Sequence, residues 1–150
     1  MVVIVLDVEL SIETDPSARD VEALAEGLSQ HALPFTGARG FQPLAVFARD
    51  GEGQLVGGAS GLVNRTWLHV SLLWVSESLR HQGLGSRLLG VIEAAAVARG
   101  CIHAHLDTSS CQARPFYEHH GYAVFAVLED YPPGERRIFL SKRLGREPAR

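Results

Sequence analysis

Apolar residues along this chain recur with two different periods, and the switches between them mark the elements. Strict alternation places Leu68, Val70, Leu72 and Trp74 on one side of a segment and Trp67, His69, Ser71, Leu73 and Val75 on the other, which predicts a strand with one uniformly apolar face and one mixed face. Helical spacing then takes over in Leu84, Leu88, Val91, Ile92 and Ala95, and stops at Arg99-Gly100, a basic last turn followed by a glycine. Between the two lies the glycine-bearing turn Arg80-His81-Gln82-Gly83-Leu84-Gly85.

The same patterns divide the rest of the chain. Val2 to Leu10 reads as a first strand by its Val, Ile and Leu content. Asp15-Pro16 signals a helix start, and Val21, Leu24, Ala25 and Leu28 give that helix one apolar face from about Pro16 to Gln30. His31 to Gly40, with Pro34, Gly37 and Gly40, reads as a loop or a broken short helix. Leu44 to Ala48 and Leu55 to Val63 form a hairpin about Asp50-Gly51-Glu52-Gly53, and Asn64-Arg65-Thr66 turns into the alternating strand above. Cys101 to Asp107 alternates as a further strand, and Gln112 to His120 is a short helix closed by Gly121. Tyr122 to Leu128 and Arg136 to Arg143 are the last strands, joined around Tyr131-Pro132-Pro133-Gly134. The order β, α, β-β-β, α, β, α, β-β predicts an α+β fold (α/β mixed), a mixed, mostly antiparallel sheet of about seven strands flanked by helices. One domain over residues 1–144 with a frayed tail at 145–150 is expected.

Composition narrows the class without naming a function. The 150 residues are 46% apolar and 21% charged, and no apolar run is long enough to span a membrane. Cys101 and Cys111 provide neither a disulfide framework nor a zinc spacing, which fits a reducing cytoplasm. A net charge of −3 gives no footprint for nucleic acid, and the basic residues Arg136, Arg137, Lys142, Arg143, Arg146 and Arg150 read as a solvated terminal strand and tail. His103, His105 and Asp107 share a strand face, but alternating polar residues are ordinary at a hydrogen-bonded rim, and no metal is expected. His119 and His120 sit where a helix dipole favours a cation.

The turn carries the chemistry. A strand that ends in a glycine turn and restarts as a helix leaves the first helical N–H groups without partners, and those groups suit an anion. No Lys follows Gly85 as a Walker loop requires, and the turn follows the fourth predicted strand rather than the first, unlike a Rossmann fingerprint. The run R-x-x-G-x-G at this junction, followed by a strand and a short helix ending in FYEHHGY, resembles the acyl-CoA-binding core of the GNAT superfamily of N-acetyltransferases. The resemblance is dense from Trp67 to Tyr122.

The resemblance implies a sheet splayed between the fourth and fifth predicted strands. It also implies that acetyl-CoA is held by the backbone of Gln82, Gly83, Leu84, Gly85 and Ser86, flanked by His81, with Arg80 and Arg87 free for phosphate oxygens. Leu73, Trp74 and Val75 would pair with the pantetheine arm, with Ser110, Ala113 and Phe116 beside it, and Tyr117 would protonate the departing thiolate. Many members place glycine where His81 stands and asparagine where Ser110 stands. The activity implied is transfer of an acetyl group to a primary amine by direct attack, with a non-catalytic acyl-CoA sensor of the same fold as the alternative and a homodimer as a plausible assembly. An alkylammonium must lose a proton before it attacks, and Glu77, Asp107 and His69 are all placed to take it, so the base stays open. Glu77, Asp107, Glu129 and Asp130 are expected to make a mildly acidic mouth. Cys111 near a helix start lacks an adjacent base and is not read as a nucleophile.

Overall fold

The computed structural model of the chain describes residues 8–36, 40–109 and 113–145. Two compact units divide it, residues 1–38 and 39–150. The first carries helix α1, Ala18–Thr36. Ser17 caps it: the Ser17 Oγ accepts the Asp20 N–H at 3.1 Å and donates to the Asp20 carboxylate. The start therefore lies just after the Asp15-Pro16 signal. The helix also continues past Gln30 and takes in Pro34, so most of the predicted loop is helical. Of the predicted first strand, residues 2–7 lie outside the described residues and Val8 to Leu10 form no strand.

Six strands rather than about seven are therefore present among the described residues. They are β1 (Gln42–Arg49), β2 (Leu55–Asn64), β3 (Trp67–Val75), β4 (His103–Thr108), β5 (Ala123–Leu128) and β6 (Arg137–Arg143). Their order in the sheet is β1-β2-β3-β4-β6-β5, antiparallel throughout except for the parallel pair β3 and β4. Helix α2 (Leu84–Ala98) follows a short 3-10 turn, Glu77–Leu79, and packs on β1, β2 and β3. Helix α3 (Arg114–His119) leads into β5. Leu88, Leu89, Ile92 and Ala96 of α2 meet Leu68, Val70, Ala104, Leu106 and Leu140 of the sheet to form the buried core. No helix of the described residues is long and apolar enough to cross a membrane.

One irregularity overturns the face reading of β3. Ser60 pairs with Leu72 and Gly61 with Val70, so Ser71 has no partner and bulges from the strand. An extra residue reverses the side on which each later side chain emerges. Leu68 and Val70 point into the core as expected, but Leu72 and Trp74 are 68% and 48% exposed, while Leu73 and Val75 pack against it.

The basic C-terminal strand is paired rather than simply solvated. Lys142 Nζ lies 2.7 Å from Glu93 Oε2, and the Tyr122 hydroxyl donates to Glu93 Oε1 at 2.8 Å, so one carboxylate on α2 ties down the start of β5 and the end of β6. Burial, then Glu93, pushes the Tyr122 phenol far above its ordinary range. Arg137 pairs with Asp107 and Arg136 with Glu129.

Candidate active site

Strands β3 and β4 stay together only briefly. Their pairing begins at Trp67 and His103 and ends at His69 and His105, although β3 runs on to Val75 and β4 to Thr108. Beyond that crotch the two strands part, leaving the β4-side edge of residues 70–75 without strand partners among the described residues. This is the expected splay. One cavity of about 390 Å³ opens beside it, lined by Val70, Ser71, Leu72, Leu73, Asp107, Thr108, Ser109, Ala113, Tyr117, Tyr131 and Arg137. A second, of about 370 Å³, is lined by Val75, Leu79, Arg80, His81, Gly83, Gly85, Ser86 and Phe116.

The second cavity is built around the turn. Gly83, at φ 82°, is the N-cap of α2 and offers no side chain to cap it. The first helical bond runs from the Arg87 N–H to the Gly83 carbonyl, so the N–H groups of Leu84, Gly85 and Ser86 precede the helical ladder. His81 also has positive φ, at 60°, which accounts for the preference for glycine at that position. The side chains of Arg80 and Gln82 brace the turn from within: Arg80 Nε donates to the Val75 carbonyl at 3.2 Å and Gln82 Nε2 to the Ser78 carbonyl at 3.0 Å. Arg80 is thus partly engaged by its own chain, and Arg87 lines a separate cavity against β1.

Helix α3 faces both cavities. Phe116 contributes to the one by the turn and Tyr117 to the one in the splay, their rings meeting edge to face at 5.2 Å. Burial, reinforced by Asp107, pushes the Tyr117 phenol up, so it keeps its proton at neutral pH. His120 closes α3 with its Nε2 2.9 Å from Ser86 Oγ, joining the end of this helix to the start of α2. Burial, then the neighbouring His119 and Lys142, lowers the His120 pKa. A neutral ring explains its place by that hydrogen bond, not by the helix dipole.

Across the splay the polar groups converge on Asp107. Arg137 Nε sits 2.6 Å from Asp107 Oδ2, with the guanidinium 4.8 Å from the Tyr131 ring centre, and His69 Nε2 is 4.0 Å from Asp107 Oδ1. His69 stacks flat on His105 at 4.5 Å, and Trp67 stacks on His103 at the same distance. The expected acidic mouth is largely neutralised, since Arg137 and Arg136 pair with Asp107 and Glu129. Among the described residues no group of His, Cys, Asp and Glu could hold a metal ion. Cys101 is buried, which pushes its thiol up and away from reactivity.

Residues 10–122 match the model of the acetyltransferase (GNAT) family. The chain belongs to that family. It is 43% identical over 112 residues, 74% of this chain and 82% of the relative, to the blasticidin-S acetyltransferase of Streptomyces morookaense. The crystal structure of an acetyltransferase from Bacillus cereus superposes with a TM-score of 0.79 at 33% identity, covering 89% of this chain and 98% of the other. An aminoglycoside 6'-N-acetyltransferase complexed with coenzyme A shares the fold alone, with a TM-score of 0.64 at 21% identity over 90% and 98% of the two chains. The protein is an acyltransferase, and a purely non-catalytic sensor of the same fold is set aside.

In this GNAT enzyme the residues singled out in the sequence fall into groups. Val75, Arg80, His81, Gly83, Gly85, Ser86 and Phe116 line the cavity at the turn, and Leu73, Ala113 and Tyr117 line the one in the splay. Trp74 and Gln82 line neither, Leu84 and Arg87 face the separate cavity, and Ser110 and Cys111 lie outside the described residues. Arg137 escaped the sequence reading because it sits in a basic run. Its pairing with Asp107 is a cross-strand relation between β4 and β6 that no local spacing encodes.

Proposed function

We propose that this enzyme transfers an acetyl group from acetyl-CoA to a primary amine of a small molecule by direct attack. The observation that carries the reading is the early end of β3–β4 pairing, which opens a slot with an uncapped helix N-terminus at one end and a protonated phenol at the other. The fit to CoA rests on this chain's own groups. The N–H groups of Leu84, Gly85 and Ser86 suit a diphosphate, the missing Cβ of Gly83 keeps the approach open, and the free edge of β3 from residue 70 to 75 supplies main-chain partners for an amide-bearing arm. When bound, acetyl-CoA supplies an activated thioester.

The protein's part is position and proton control. The β3 edge orients the acyl arm, the apolar walls of Leu73, Ala113 and Phe116 exclude water, and the Tyr117 hydroxyl donates to the developing sulfur anion. No side chain is needed as an acyl carrier.

Thiol release with acetyl-CoA against a panel of blasticidin S, an aminoglycoside, spermidine and lysine tests the reading. Blasticidin S heads the panel because the Streptomyces relative is named for it. Acceptor-dependent release with at least one amine is expected, and none with any would overturn the proposal. Gly83→Ala gives a second check. A Cβ there meets no atom within 4 Å but is held at φ 82°, so about 1 kcal/mol of stability should be lost by thermal melting, with a clear weakening of CoA binding by calorimetry.

A further inference from the structure

We propose that His69 is the general base of this enzyme, taking the acceptor's proton at a position fixed by Asp107. The inference rests on the amine-acceptor reading above and goes beyond it by choosing among the three groups that the sequence left open. Glu77 lies in the 3-10 turn beyond the end of β3, away from the polar cluster at Asp107, whereas His69 lines neither cavity itself but stands next to Asp107, which lines the one in the splay. Asp107 lines the splay cavity, but its Oδ2 is already occupied by Arg137 at 2.6 Å, so this carboxylate is placed to hold and orient the acceptor. Its Oδ1 looks toward His69 Nε2 across a gap of 4.0 Å. That gap is too wide for a hydrogen bond, yet a nitrogen at about 2.9 Å from each atom fits between them. An ammonium seated there gives one hydrogen to the carboxylate and presents another to the imidazole.

The ring is held for this task. His69 is the last residue of β3 paired with β4, at the floor of the crotch, and the parallel stack on His105 fixes its plane. The groups facing it are His105 and Asp107 from β4 and Arg137 reaching in from β6, while its partner on β2 is the uncharged Leu62. Burial and the neighbouring His69 both lower the pKa of His105, with Asp107 opposing them. His69 is itself part exposed, which gives that proton an exit to solvent.

The protons balance over the cycle. The ammonium gives one proton to His69 Nε2, and the freed lone pair forms the bond to the acyl carbon as the carbon–sulfur bond breaks. Tyr117 protonates the leaving sulfur and is made good by the second proton shed from the acylated nitrogen. The products are the amide, the free thiol and one proton, which leaves His69 for water.

His69→Gln, with His69→Asn in parallel, separates this role from a structural one. With the panel amine that wild type turns over fastest, kcat/KM should fall about 100-fold at neutral pH. The ratio of wild type to variant should shrink toward one by about pH 9.5, where the acceptor increasingly arrives as free amine. Binding of acetyl-CoA by calorimetry should not change. A ratio that stays constant across pH, or no loss at neutral pH, overturns the role of His69. A wild type that acetylates no panel amine overturns the amine reading itself, and this inference with it.

Discussion

Tyr117→Phe should lower kcat by about 100-fold or more while leaving the affinity for acetyl-CoA unchanged. The variant removes one oxygen and keeps the ring, whose edge contacts to Phe116 at 5.2 Å and Tyr122 at 5.9 Å hold the end of α3 against the core. Stability should therefore stay close to that of wild type. The phenol is made a poorer free acid by burial, but a thiolate forming in the same dry slot is penalised for the same reason, from a reference near pKa 8.5 for an alkyl thiol. A proton held close to the sulfur thus matters more here than it would in water. Steady-state kinetics beside calorimetry decide the point: equal losses in turnover and in CoA affinity would mean that the hydroxyl serves binding rather than the leaving group.

Gly61→Ala should be the most damaging small substitution in the sheet. A Cβ at Gly61 would run into the His69 carbonyl oxygen, a backbone atom that cannot turn aside. This close approach is imposed by the bulge at Ser71, which draws β3 against β2 where Gly61 pairs with Val70. A loss of about 3 kcal/mol is expected in urea unfolding, or roughly 6–12 °C in Tm. Because the displaced carbonyl belongs to His69, turnover should also fall in the fraction that remains folded. Gly90→Ala is the matched control. It lies within α2 with nothing inside 4 Å of the added methyl, and should stabilise by about 0.5–1 kcal/mol. Equal stability of the two variants would mean that β2 and β3 do not meet in this register.

Much of this architecture was legible because it is written in local period. The strand to turn to helix passage from Trp67 to Gly100 emerged within a residue or two, since each element carries its own signal: alternation, a glycine with positive φ, helical spacing, a glycine stop. The last two strands were equally plain. What failed locally failed for a cause. Ser17 rather than Asp15 caps α1 because its hydroxyl engages Asp20, and either residue satisfies the same composition rule. The face of Leu72 and Trp74 was misread because a bulge leaves no mark in the alternation of its own strand. It is decided by the neighbouring β2.

By itself, then, the sequence determined the order of elements from α1 onward, the glycine turn at residues 80–85 and the tyrosine on the short helix α3, all of which depend on neighbours within a few positions. Only the tertiary structure decided where β3 and β4 part, that Arg137 binds one oxygen of Asp107, and that His69 faces the other. Those relations join residues tens of positions apart through strand register and bulge geometry, and register is fixed by packing of the whole sheet rather than by any residue's own preference.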